Sequence, residues 1–442
     1  MFQVCNKGRH GACPHGFDNT SQEWYNGLSY YLLRTPGGSL MIAIKGGRVL
    51  TLSQDENGRD IVWERGTVLL GDDGKIAAVG AVADVTIPEG AEVVDASGQV
   101  VVPGFIDAHT HVGIGEMDIG KEGSDTNENT DPVTPQVRAI DATFPRDTAF
   151  RDALAAGITA VNVMPGSGNV IGGLTVLLKT YGDRIDDMVI RNPSGLKSAM
   201  GENPKKSYGD QKKMPSTRLG VAALMRENLV KASNYLLKRD ASEMQNDPTK
   251  PFERDIKMEH LGMLLRREIP MRWHAHRSDD ILTAFRIRDE FGFDMVLDHA
   301  TEAHLIPDEL LKRNIPAVVG PTLTGRYKPE VKGRRLTTPG ILVREGVKVA
   351  LTTDHWVVPV QYLPMQLILA VKHGLERDQA LRLVTINPAE IMGVADRIGS
   401  IAEGKDADIA IWSGDPLDIY QHPVRVYVNG KLVHEQEGPE SY

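Results

Sequence analysis

The chain reads as an α/β protein, a (β/α)8 TIM barrel with a small β-sandwich domain built from both chain ends. Three observations predict this. Between residues 101 and 394, short apolar runs alternate with amphipathic, helix-like segments, the order of a parallel sheet wrapped in helices. On either side lie β-rich stretches punctuated by glycines: MIAIKGGRVLTL and GKIAAVGAV before, DADIAIWSG and VRVYVNGKLVHE after. Histidines and carboxylates recur at the C-terminal ends of the central runs, where a parallel barrel gathers its chemistry.

Residues 1–40 form an extension outside this pattern. It holds both cysteines of the chain, Cys5 and Cys13, beside His10 and His15. Their spacing matches no zinc motif, so a loose extension is expected. The opening MFQVCNKGRHGACPHG lacks the apolar stretch of a secretory signal. With so few cysteines, a reducing cytoplasm is the expected compartment. Residues 41–100 should supply the first part of the sandwich, 101–394 the barrel and 395–442 the second part.

Seven barrel strands are legible: VVPGFIDAH, ITAVNVMP, SGLKSAM, PMRWHAH, FDMVLDHA, IPAVVGP and VKVALTTDH. The eighth should lie between Gly172 and Arg191, where VLLKT or DMVIR has the composition of a strand. Helices are expected at RDTAFRDALAAG, Leu219–Leu237, SDDILTAFRIRDEFG, PDELLKRN and TPGILVREG. The charged stretch from Lys238 to Glu259 reads as an exposed helix or insertion.

Composition narrows the function classes. Of 442 residues, 41% are apolar and 25% charged, with a formal net charge of -9, which speaks against a nucleic-acid partner. No apolar run is long enough to span a bilayer, so no membrane partner is expected.

His109 and His111 stand at the end of VVPGFIDA. Residues i and i+2 of a strand share a face, so both imidazoles can address one ion. An H-x-H pair alone is a weak signal, but other strand ends are equally metal-competent. His274 and His276 follow Trp273, Asp298 and His299 follow Leu297, and the last strand runs into Thr352, Thr353, Asp354 and His355. Lys197 and Glu202 stand in and just after SGLKSAM.

These motifs, PGFIDAHTH, WHAH, LDHA, LTTDH and the tail INPAEIMGVADRIGSIAEGKDADIAIW, resemble the amidohydrolase superfamily of metal-dependent hydrolases, especially its imidazolonepropionase- and prolidase-like branch. The resemblance covers roughly Met41 to Val433. It implies that His109 and His111 bind the more buried ion, that His274 and His299 bind a second, and that Asp354 is both ligand and general base. It implies a bridging group as well: Lys197, carboxylated by CO₂, or Glu202 as its rival. A bare buried ammonium at Lys197 would be costly, and a carbamate removes that cost. His276 falls where relatives place a polar group that touches substrate.

The expected cofactor is one or two divalent ions, zinc suiting the His and carboxylate set best. The expected reaction is hydrolysis of an amide, cyclic amide or peptide C–N bond by a metal-activated hydroxide. Arg326, Tyr327 and Lys328 in GPTLTGRYKPE, with Lys205 in GENPKK, are donors for a small, anionic substrate, Arg326 suiting a carboxylate; a solvated basic loop is the plain alternative. A deaminase of the same superfamily is the nearer rival, although HAHRSDD lacks the glutamate such enzymes carry after that histidine. A non-catalytic scaffold is the other, against which stands the presence of every ligand. Relatives of this type also imply a homo-oligomer.

Overall fold

The central apolar runs pair side by side into one eight-stranded sheet, Phe105–Thr110, Ile158–Val163, Ile171–Lys179, Val189–Ala199, Met271–Ala275, Met295–His299, Ala317–Val319 and Val349–Leu351, in sequence order. These are numbered below as the first to eighth barrel strands. The computed structural model describes residues 41–117, 119–245 and 252–436. The extension with Cys5, His10, Cys13 and His15 lies outside the described residues, as does part of the charged Lys238–Glu259 stretch.

Strands four to eight run parallel in continuous register; strands one and two are also parallel, with two register shifts. At the two edges of the sheet, strands eight and one are joined through polar groups. Asp107 accepts from the Thr353 amide (3.0 Å) and hydroxyl (2.5 Å), the Thr352 hydroxyl donates to the His109 carbonyl (2.5 Å), and the His111 amide donates to the His355 carbonyl (3.0 Å). The sheet thereby closes into the predicted barrel. Ala108, Val296, Val318 and Ala350 form a buried apolar cluster contributed by four of its strands. Helices follow most strands, including Arg218–Gln245, Ser278–Phe291, Pro307–Arg313 and Thr338–Arg344. The charged stretch after Leu237 first continues a helix and then leads to another, Ile256–Leu265.

The third unit departs from the expected strand–helix alternation. Its strand contains all of the VLLKT run but the final Thr180, and lies antiparallel to both neighbours. Only residues 164–170, MPGSGNV, separate it from the second strand. A parallel crossover needs a dozen or more residues, so this short Gly/Pro/Ser/Asn loop can only turn the chain back. The segment before the second strand then runs beside the new strand, with the Leu174 amide donating to the Val137 carbonyl at 2.9 Å. Gly173 permits that approach: at φ 134°, a Cβ there would lie 2.5 Å from the same carbonyl oxygen.

Both chain ends build the sandwich, as expected. A four-stranded sheet holds Ile42–Lys45, Gly66–Leu70, Ile76–Ala81 and Glu92–Asp95. In a six-stranded sheet, Ile409–Trp412 pairs antiparallel with Val100–Pro103. That pairing makes Val100–Pro103 a sandwich strand, so the barrel begins at Phe105, slightly later than the expected boundary. Ile44, Val49, Val68, Val101, Ile409 and Tyr427 share one buried cluster there.

The two parts are fastened by buried charge. Lys179, the last residue of the third strand, bonds Asp408 and lies 2.9 Å from Asp406; all three side chains are at most 4% exposed. Asp406 also pairs with Lys75 and Arg397. Replacing Lys179 with Met leaves the Asp408 carboxylate buried without its cation. A loss of about 3–5 kcal/mol is expected, visible as a lower midpoint in equilibrium urea unfolding. A variant with the wild-type midpoint would show that this network does not hold the barrel to the sandwich.

Candidate metal centre

The strand ends bring five imidazoles, two carboxylates and one lysine together. His299, from the sixth strand, is at the middle: its ring centroid lies 4.7 Å from that of His109, 4.2 Å from His274 and 4.8 Å from His276. Two sets emerge in which one ligand atom per residue lies within 4.8 Å of the others. One is His109, His299 and Asp354; the other is His274, His276 and His299. His111 joins the first set, its Nε2 3.3 Å from Asp354 Oδ1. Lys197 Nζ is 3.0 Å from His109 Nε2.

Four of the five rings face a polar group on one nitrogen, whereas His274 Nδ1 has no hydrogen-bond partner among the described residues. His111 Nδ1 meets the Met164 carbonyl at 2.7 Å, His299 Nδ1 the Gly320 carbonyl at 2.9 Å, His276 Nδ1 the Thr301 hydroxyl at 2.8 Å, and His109 Nδ1 lies 3.3 Å from Asp298. Carbonyl or carboxylate partners on one nitrogen fix the tautomer and leave the other lone pair free, as in metal-ligating histidines. His299 Nε2 is buried and has no hydrogen-bond partner among the described residues. The donor set thus fits a divalent ion. The backbone supports the same reading: His299 and Asp354 take φ of 72° and 53°, a region costing about 1–3 kcal/mol for such residues and concentrated at functional sites.

Electrostatics keep these groups in ligand form. Burial, reinforced by neighbouring positive charge, holds the His109, His274, His276 and His299 imidazoles well below their ordinary range, hence neutral. Burial alone would raise Asp354, but His299, His111 and Lys197 outweigh it and keep the carboxyl below its usual range. Burial pushes the Lys197 ammonium down to about 8, against the pull of Asp298 and Asp354.

Two expected roles find no support in the geometry and a third broadens. His276 lines the cavity over the centre and also belongs to a metal-competent set, its ligand atom lying within 4.8 Å of those of His274 and His299. Glu202 does not reach the imidazoles. It opens the helix Glu202–Gly209, where its carboxylate accepts from the Glu330 amide at 3.3 Å. Arg326 is exposed and donates to the Arg334 carbonyl, outside the residues lining the cavity over the centre. That cavity, about 150 Å³, is lined by His111, His274, His276 and Asp354 together with Asn203, Tyr327, Lys328, Arg334 and Trp356. A second cavity of about 370 Å³ shares Asn127 and Gly166 with it.

Sequence reasoning missed Glu330, a buried carboxylate 3.6 Å from His276 Nε2 and 3.8 Å from His274 Nε2. It stands alone in a basic loop after the seventh strand, where no spacing ties it to a histidine. An unpaired acid inside RYKPEVKGRR was the one available signal.

Comparison with known proteins agrees with this architecture. Residues 330–433 match the amidohydrolase family. The amidohydrolase tasK of Hapsidospora irregularis is 30% identical over 393 residues, 84% of this chain; the chain spans 39% of that protein. The imidazolonepropionase of Cupriavidus necator is 27% identical over 421 residues, covering 85% of this chain and 92% of that protein. The crystal structure of an amidohydrolase from Thermotoga maritima MSB8 is 42% identical, with a TM-score of 0.84 over 89% of this chain and 100% of that one. With that likeness along its length, and with histidines and a carboxylate gathered where a metal would sit, the chain belongs to the amidohydrolase superfamily.

Proposed function

We propose that this protein is a divalent-metal-dependent amidohydrolase that cleaves an amide, cyclic amide or peptide C–N bond in a small, anionic substrate. The observation that carries this reading is the convergence of two ligand sets that share His299 beneath one cavity. His109, His111, Lys197 and Asp354 would hold one ion, and His274, His276 and His299 a second. Zinc suits imidazole and carboxylate donors best. When bound, such ions make hydroxide available at neutral pH and polarise a carbonyl.

Asp354 moves the proton. Its Oδ1 lies 3.4 Å from His109 Nε2 and 3.3 Å from His111 Nε2, and its ionised state makes it a base at neutral pH. It accepts the proton of the attacking water and returns it to the leaving nitrogen, which would otherwise depart as a poor amide anion. Lys328 and Arg334 border the cavity in a chain of net charge -9, which favours an anionic substrate over a cationic one. The cavity's volume suits a reacting group about the size of benzene, with the adjoining space available to a longer substituent.

Activity should appear when metal-loaded enzyme is screened against N-acyl amino acids, dipeptides and cyclic amides, and should vanish on chelation. Turnover that survives complete removal of metal would refute the reading. Asp354→Asn should lower kcat by about 10²–10⁴-fold while its circular-dichroism melting curve stays near that of wild type; a near-normal rate would remove Asp354 as the base.

Lys197 generates a separate expectation. With its ammonium pushed down to about 8, roughly a tenth of the side chain is free amine at pH 7 and can take up CO₂ as a carbamate, losing a proton. Metal uptake by stripped protein should therefore rise with added bicarbonate, and Lys197→Met should abolish that dependence. Equal uptake with and without bicarbonate in the wild type would exclude the carbamate.

A further inference from the structure

Glu330 lies on the short turn Pro329–Val331 and is 1% exposed. Its Oε2 accepts from the Glu202 amide at 2.9 Å. Gly201 makes room for that oxygen: at φ 90°, a Cβ there would lie 2.8 Å from it. Oε1 faces the histidines, 3.6 Å from His276 Nε2 and 3.8 Å from His274 Nε2.

In the tautomer that donates Nδ1–H to the Thr301 hydroxyl (2.8 Å), His276 Nε2 carries a lone pair. Two acceptors then face each other across 3.6 Å, both buried. Such an arrangement is unfavourable unless positive charge lies beside them. The charge present is Lys328, whose Nζ is 2.6 Å from Glu330 Oε1 and 3.1 Å from Asn203 Oδ1. A carboxylate that served only to fasten a loop lysine would not need full burial against two imidazoles.

We infer that Glu330 is a ligand of the second ion, alongside His274, His276 and His299, with the Lys328 ammonium as a competing cation for the same carboxylate. The inference rests on the reading of the centre as a metal site. Imidazoles and one carboxylate are a donor set zinc accepts. Glu330 would hold the ion through Oε1, the oxygen that Lys328 Nζ faces at 2.6 Å.

The test uses full-length protein, stripped with chelator and titrated with zinc alone. Zinc content is read by elemental analysis and affinity by competition with a chromophoric chelator. Wild type should take up two ions. Glu330→Gln should keep one and bind the second at least about a hundredfold more weakly, the upper end of what even an outer partner of a ligand costs. Glu330→Asp, which retains the carboxylate, should recover most of that loss and guards against misfolding of the amide variant. Lys328→Met should keep both ions and bind the second no more weakly than wild type, since a competing cation is gone.

Two wild-type ions in folded Glu330→Gln, at unchanged affinity, would overturn the inference. So would loss of the second ion in Lys328→Met to the same degree, because the loop pairing would then explain both results. Wild type that takes up no zinc would defeat the metal-site reading itself. Wild type that binds zinc indifferently to Glu330 would defeat only this assignment.

Discussion

The ion pair between Arg272 and Asp298, sealed inside the barrel, sets the terms for the centre above it. Arg272 Nη2 lies 2.6 Å from Asp298 Oδ1 and also donates to the Ala108 carbonyl at 2.8 Å; the two side chains are 1% and 0% exposed. A buried pair of this kind adds little net stability, since desolvation cancels much of the attraction. Its effect here is positional. The oxygen held by Arg272 also lies 3.3 Å from His109 Nδ1, which turns His109 Nε2 toward Lys197 and Asp354. Guanidinium, carboxylate, imidazole and ammonium form one line of alternating character, and loosening its lower end would unfix the upper.

Above that line, neutrality is maintained chiefly by burial, with neighbouring positive charge acting in the same direction. Four histidines kept neutral by burial present lone pairs at no further cost in deprotonation, so a cation entering the site has little to displace. The strained backbone at His299 and Asp354 belongs to the same economy of position, because both residues sit where the strand must stop and the side chain must still point inward. The adjoining cavity then defines what can reach the centre, and its cationic border opposes the sign of the protein as a whole.

Much of this was legible in the chain because it obeys local rules. His109 and His111 share a strand face, and Asp298, His299 and Asp354 stand where apolar runs end. The sandwich announced itself through β-rich text at both ends of the barrel. What escaped depends on relations no window of sequence contains. IGGLTVLLK is buried throughout and reads the same whichever way the strand runs, so its reversal followed only from the shortness of residues 164–170. Glu330 meets Glu202 and His276 across large separations in sequence. Arg326, Lys328 and Arg334 are indistinguishable as text, and only the path of the loop decides which of them borders the cavity.

The reversed third strand also governs where this scaffold can vary. Its preceding loop, residues 164–170, must turn back at once, and it is buried at every position except Ser167. It is held from two sides: the Met164 carbonyl by His111, the Ser167 hydroxyl by Asn203 at 2.7 Å. One wall of the site is therefore a fixed template, intolerant of insertion. A second wall, within residues 322–337, is partly solvent-facing and contributes Tyr327, Lys328 and Arg334 to the cavity. Room for altered substrate contacts therefore lies at the exposed positions of that second wall, such as Tyr327, and not at its buried Glu330.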